Sequence, residues 1–306
     1  MATLIPDNPS QPKPTGLSEK LRGYWEIMRF HKPIGTWLLA APTVWALVIA
    51  SDGWPDPMIF AIFAMGIVVM RAAGCVANDL ADRNLDGFVA RTRQRPLVTG
   101  VMTAREALGL LLVLMSIALV LVAFTNSLTV QLSLVGAFLA MIYPYMKRVT
   151  HWPQVVLGAA FSWAIPMAFA AVNNSLDPAL WWLFAANLLW TVVYDTQYAM
   201  VDRDDDLSVG IKSTAILFGT LDRRLIGLMQ LAALGCFIKT GSEFDLGWPY
   251  LLSIFAVALL FAWHQWLIRH RDEAACFRAF NQSKWIGVII LLGIVGHFWL
   301  TPVSAS

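Results

Sequence analysis

The 306 residues are 58% hydrophobic and only 14% charged, with a mean hydropathy of +0.62. A soluble domain carries about 25% charged residues, so this composition excludes a soluble globular protein and predicts a polytopic membrane protein. The net charge of +2 gives no case for a nucleic-acid partner, because topology and phosphate binding account for the basic residues.

Residues 1–20 are polar and Pro-rich (Pro6, Pro9, Pro12, Pro14), the composition of a disordered tail. They lack the layout of a cleavable signal peptide. Residues 21–303 read as one transmembrane domain. Apolar runs lie near 33–51, 58–78, 104–124, 128–146, 153–172, 179–199, 222–240, 248–268 and 284–302. Each approaches the roughly 20 residues that cross a bilayer as a helix. They predict an all-α fold of nine transmembrane helices, the third and fourth joined by the short turn Thr125-Asn126-Ser127.

Nine spans put the chain ends on opposite sides. Alternating from the N-terminus leaves all 22 Lys and Arg except Lys239 on, or close to, the N-terminal side. The positive-inside rule makes that side cytoplasmic and the C-terminus periplasmic. The loops near 52–57, 173–178 and 241–247 are short connectors, so the chemistry is expected on the cytoplasmic side. Cys75, Cys236 and Cys276 have no metal-ligand spacing, and no disulfide is expected.

Two acidic clusters follow the second and sixth runs. In the first, Asn78, Asp82 and Asp86 are four apart; in the second, Tyr198, Asp202 and Asp206 are. Residues at that spacing share a helix face. Carboxylates so close repel unless a cation lies between them, and at a membrane helix end they are expensive and usually functional. They point to a hard divalent cation, Mg²⁺, holding phosphate groups. A shift of 120 residues superposes Asp82 on Asp202 and Asp86 on Asp206. This reads as a faint internal duplication that would set the clusters opposite each other across a shared cavity.

Other ionisable residues lie deeper. Asp195 is about two turns below Asp202, and Arg71 two turns below Asn78 on the same face. A buried hydrogen-bonded pair would account for Asp195, and snorkelling for Arg71. The alternatives are a polar cavity at Asp195 and an anionic substrate group matched by the planar fork of Arg71. Tyr143 and Lys147, four apart at the end of the fourth run and followed by Arg148, suit either a basic membrane flank or a diphosphate.

Taken together, Asn78-Asp79-x-x-Asp82-x-x-x-Asp86, Tyr143-x-x-x-Lys147 and Asp195-x-x-Tyr198-Ala199-x-x-x-Asp202-x-x-x-Asp206 followed by Gly210-x-Lys212-Ser213 resemble the UbiA superfamily of intramembrane prenyltransferases. The likeness runs from about residue 22 to 300. Arg29-Phe30-x-Lys32-Pro33-Ile34-Gly35-Thr36 makes the chain most similar to the bacterial 4-hydroxybenzoate polyprenyltransferases within it.

The resemblance implies nine helices around a central cavity in the bacterial inner membrane, open to lipid. It implies polyprenyl diphosphate and 4-hydroxybenzoate as substrates in ubiquinone biosynthesis, with no obligatory protein partner. It assigns Asn78, Asp82, Asp86, Asp202 and Asp206 to Mg²⁺-diphosphate, aided by Lys147 and Arg148. It places Arg71 and Asp195 near the aromatic acceptor, and Tyr143 and Tyr198 are expected among the substrate-binding residues. Two rivals remain: another acceptor in the same superfamily (a menaquinone precursor or haem), and a divalent-cation transporter, which would carry ionisable groups right across the membrane.

Overall fold

The computed structural model of the chain describes residues 16–88 and 92–300, and every regular element among them is helical. Most of the expected tail over 1–20 lies outside the described residues. Short α1 (Leu17–Ile27) leads through a turn at Arg29 into α2 (Ile34–Ala50) and α3 (Pro57–Asp82). Asp56 caps α3 by accepting from the amides of Met58 and Ile59, with Pro57 in the first position, where its missing N–H goes unneeded. Thr103 and Glu106 form a capping box that starts α4 (Ala104–Ala123), and Asn126 caps α5 (Ser127–Val149).

The expected fifth run is broken into α6 (Pro153–Ser162) and α7 (Ala164–Asn173). Pro166 has no N–H to give to the carbonyl of Ser162, so the ladder stops at Trp163 and restarts. Next come α8 (Leu180–Ala199), the short α9 (Arg203–Ser208) and α10 (Thr214–Phe218), then α11 (Asp222–Glu243), α12 (Trp248–Leu267) and α13 (Glu273–Leu300).

All nine expected runs fall on these helices. Seven stretches among the described residues, with α6–α7 and α10–α11 each counted as one, are long and apolar enough to cross a membrane. The chain is a multi-pass membrane protein. The other two runs lie on α2, which has only 17 residues, and on α8, whose polar Asn187, Asp195 and Gln197 dilute its hydropathy.

The duplication reaches the architecture. Helices starting at Ile34, Pro57, Ala104, Ser127 and Pro153 are echoed by helices starting at Pro153, Leu180, Asp222, Trp248 and Glu273, each 118–123 residues later. The acidic clusters therefore follow corresponding helices, α3 and α8. Packing runs in chain order, and α13 closes the circuit against α2. Small residues permit that closure: a Cβ on Gly287 of α13 would lie 2.7 Å from Ala41 Cβ of α2. Beside it the Trp45 indole donates to the Gly287 carbonyl at 3.0 Å and packs on Trp190.

A second polar anchor holds the cytoplasmic ends predicted for α8, α11 and α12 together. Asp222, with no exposed surface, accepts from Arg203 at 2.5 Å and from Arg271 at 2.8 and 3.0 Å. Arg203 directly follows Asp202, so this anchor fixes the second acidic segment. Asp222→Ala leaves two guanidinium groups without their carboxylate. It is expected to destabilise the fold by about 2–3 kcal/mol, less than for a sealed pair because Arg271 reaches solvent. Thermal unfolding in detergent measures this, and an unchanged midpoint would contradict it.

Candidate active site

A cavity of about 1250 Å³ follows α3 from Ile62 to the turn at Asp86. On the α3 rise of about 1.5 Å per residue, that is roughly the thickness of a bilayer core. Its far end is apolar, with Ile62, Phe63, Met115, Leu119 and Met167. Its near end gathers the residues singled out in the sequence: Asn78, Asp82, Asp86, Arg71, Tyr143, Lys147, Asp195, Tyr198, Asp202 and Asp206 all line it. Arg148 does not. It is exposed, donates to the Ala81 carbonyl and stands 3.5 Å from Asp82, supporting the wall from outside.

The two acidic segments are less helical than their spacing suggested. α3 ends at Asp82 and α8 at Ala199, so Asp86 lies in a turn and Asp202 precedes α9. One helical-type bond preserves each pair: the Asp86 amide donates to the Asp82 carbonyl at 2.9 Å, and that of Asp206 to Asp202 at 2.8 Å. The Lys212 amide donates to the Lys147 carbonyl at 2.8 Å, joining the second segment to the end of α5.

The carboxylates face cations. Lys147 donates to Asp82, which is 1% exposed. Asp79, equally buried, meets Arg29 at 2.5 Å and Arg95 at 3.1 Å. Arg95 reaches on to Asp86 at 2.6 Å. Burial pushes the Asp86 carboxyl above its ordinary range; Arg95 opposes this, while Asp82 and Asp79 add to it. Arg29 holds a left-handed backbone (φ 55°), which a non-glycine residue keeps only where its surroundings enforce it.

Sequence reading used Arg29 only as part of a motif and gave neither Arg29 nor Arg95 a role in the site. The signal was Asp79, a buried acid turned about 100° from Asn78, which requires a cationic partner. It also passed over Asn281 and Lys284, which line the cavity from α13. That helix begins at Glu273, eleven residues before the apolar run taken for it, and its first turns are polar. Phe280 from the same turns stacks on Tyr198, ring centroids 4.5 Å apart.

Deeper in the cavity, the Tyr194 hydroxyl lies within electrostatic range of both Asp195 and Arg71, and Tyr143 within range of Asp195 and Asp82. Arg71 is tied to Cys75, to whose sulfur it donates.

The donors at the near end are oxygens, as a hard cation requires. Among the described residues no three His, Cys, Asp or Glu side chains converge as a ready-made metal cage. The oxygen donors suit Mg²⁺, which keeps waters and is held by one or two carboxylates plus substrate phosphates.

Residues 39–299 match the UbiA prenyltransferase family. A Vibrio campbellii protein described as 4-hydroxybenzoate octaprenyltransferase is 52% identical over 92% of this chain and 99% of its own length. A UbiA homolog from Aeropyrum pernix K1 superposes with a TM-score of 0.76 at 26% identity, covering 85% of this chain and 97% of that one. The fold is also shared with a UbiA homolog from Archaeoglobus fulgidus bound to GPP and Mg²⁺, with a TM-score of 0.68 at 14% identity over 90% of this chain and 99% of that one. The matched span covers both acidic segments and most of the cavity lining, and this chain belongs to the UbiA prenyltransferase family.

Proposed function

We infer that the protein transfers a polyprenyl group from polyprenyl diphosphate to 4-hydroxybenzoate in ubiquinone biosynthesis, at the ring carbon ortho to the hydroxyl and meta to the carboxylate, releasing diphosphate. The observation that carries this reading is a single cavity of roughly membrane length, with two acidic segments and Lys147 at one end and a mainly apolar channel at the other. That shape suits a polar diphosphate joined to a long hydrocarbon. The name of the Vibrio campbellii relative supplies the acceptor. An ion path would need ionisable groups at the far end too, where the described lining is apolar apart from hydroxyls such as Ser116 and Thr125.

Asn78, Asp82, Asp86, Asp202 and Asp206 would hold Mg²⁺. Bound there, Mg²⁺ neutralises charge on the leaving diphosphate, so that the allylic C–O bond can ionise. Lys147 turns from Asp82 toward the phosphate oxygens and adds a fixed positive charge. Arg71, whose backbone lies about 10 Å below Asn78 along α3 and whose guanidinium reaches forward to Cys75, grips the benzoate carboxylate. Asp195 accepts a hydrogen bond from the phenol and strengthens its donation into the ring, with Tyr143 and Tyr198 walling the acceptor. The prenyl tail fills the apolar channel, which also keeps water from the allylic cation.

The membrane placement follows the same reading. α2 and α8 join the seven long apolar stretches to give nine spans within one domain, residues 21–303. The N-terminus is cytoplasmic and the C-terminus periplasmic, in the bacterial inner membrane, with the acidic end of the cavity facing the cytoplasm. The domain works in lipid without an obligatory protein partner.

The test is purified protein with Mg²⁺, a polyprenyl diphosphate and a panel of acceptors, read by mass spectrometry. The expected product is 3-polyprenyl-4-hydroxybenzoate. Prenylation of a menaquinone precursor or haem, with 4-hydroxybenzoate untouched, would overturn the acceptor.

A further inference from the structure

Gly35, the second residue of α2, lies against the guanidinium of Arg71 from α3. A Cβ built on it would sit 2.2 Å from Nε, 2.3 Å from Nη2 and 2.4 Å from Cζ of Arg71. No arrangement with a side chain at 35 leaves the guanidinium where it is, since these separations are far inside van der Waals contact. On its other edge Arg71 donates through Nη1 to the sulfur of Cys75, which is buried. The guanidinium is thus pinned between the bare backbone of α2 and a thiol one turn further along α3. Both Gly35 and Arg71 line the cavity.

We propose that Gly35 is a positioning residue for Arg71: its missing side chain is what lets the guanidinium lie on α2 and point its free edge at the acceptor carboxylate. This rests on the reading of Arg71 as the carboxylate holder. The nature of the contact separates a positioning role from a packing one. A methyl at Gly287 would meet Ala41 and Trp190, parts of the rigid core. The three atoms nearest a methyl at Gly35 all belong to the end of one flexible side chain. Gly35→Ala therefore moves Arg71 and leaves the helices where they are. Long side chains have alternative rotamers to move into, and the open cavity beside Arg71 provides the room.

The experiment compares wild type, Gly35→Ala, Arg71→Ala and the double variant, with KM measured for each substrate and unfolding followed in detergent. Gly235→Ala, on α11 where a Cβ meets nothing within 4 Å, is the control for adding a methyl to a helix glycine. Gly35→Ala is expected to raise KM for 4-hydroxybenzoate about tenfold, the effect of losing one charge-assisted hydrogen bond. KM for the diphosphate and the unfolding midpoint stay at wild-type values. The double variant is no worse than Arg71→Ala alone, because the methyl has nothing left to displace. Arg71→Lys, whose slimmer end clears the methyl, recovers part of the loss in the Gly35→Ala background. If Arg71→Ala raises the acceptor KM and Gly35→Ala does not, or if their effects multiply, the positioning role is wrong and the Arg71 reading stands. If Arg71→Ala leaves that KM unchanged, the Arg71 reading fails and takes the proposal with it.

Discussion

Asp82→Ala and Asp202→Ala are each expected to lower turnover by about 10³-fold or more, the loss that follows when several kcal/mol of charge stabilisation leave the transition state. The two positions are related by the 120-residue repeat and line one cavity, Asp82 from the end of α3 and Asp202 from the turn after α8. Removing either carboxylate takes one side of the proposed cation clamp. They differ in their surroundings. Asp82 also receives Lys147, so its loss releases that cation into the site, while Arg148 keeps its bond to the Ala81 carbonyl outside the cavity. Asp82→Asn keeps the shape and one oxygen while removing the charge, and should lose nearly as much activity as the alanine variant. Steady-state rates across a Mg²⁺ titration measure this. Full activity in either alanine variant would remove the metal assignment.

Asp195→Asn is expected to cut kcat about 10²-fold, within the range for a positioned acid–base or hydrogen-bonding partner, and to leave KM for the diphosphate unchanged. The carboxylate lines the cavity from α8, seven residues before Asp202, which lies beyond the end of that helix. It lies within electrostatic range of Tyr143 and Tyr194, the latter also within range of Arg71. An asparagine can still accept from the phenol but carries no charge with which to raise electron density in the ring. A change confined to KM for 4-hydroxybenzoate, with kcat intact, would reduce Asp195 to an orienting contact.

Most of the fold was legible from hydropathy, because lipid demands long apolar helices and the nine runs each found one. The boundaries were less legible where polar residues continue a helix beyond its apolar part. α3 runs on to Asp82 and α13 begins at Glu273, since a helix leaving the bilayer loses its hydropathy before its hydrogen bonds. The break at Trp163 follows from Pro166, but Pro42 and Pro144 lie inside unbroken α2 and α5, so a proline by itself did not mark it. Within the site, residues at four-residue spacing were visible, and the cavity gathers them. Arg29 and Arg95 were not, because their partners Asp79 and Asp86 come from distant or looped positions that no helical period connects. The contact between Gly35 and Arg71 is likewise tertiary: it depends on how closely α2 approaches α3.

The central claim is that two repeat-related acidic segments jointly hold a Mg²⁺-diphosphate. Its most direct measurement is equilibrium binding of a non-ionising prenyl thiodiphosphate, with Mg²⁺ and with EDTA, to wild type, Asp82→Ala and Asp202→Ala. The account predicts that binding to wild type is strengthened by Mg²⁺, and that each variant binds only as weakly as wild type does in EDTA. Equal affinity with and without Mg²⁺, or a Mg²⁺-dependent gain retained in full by both variants, would contradict it.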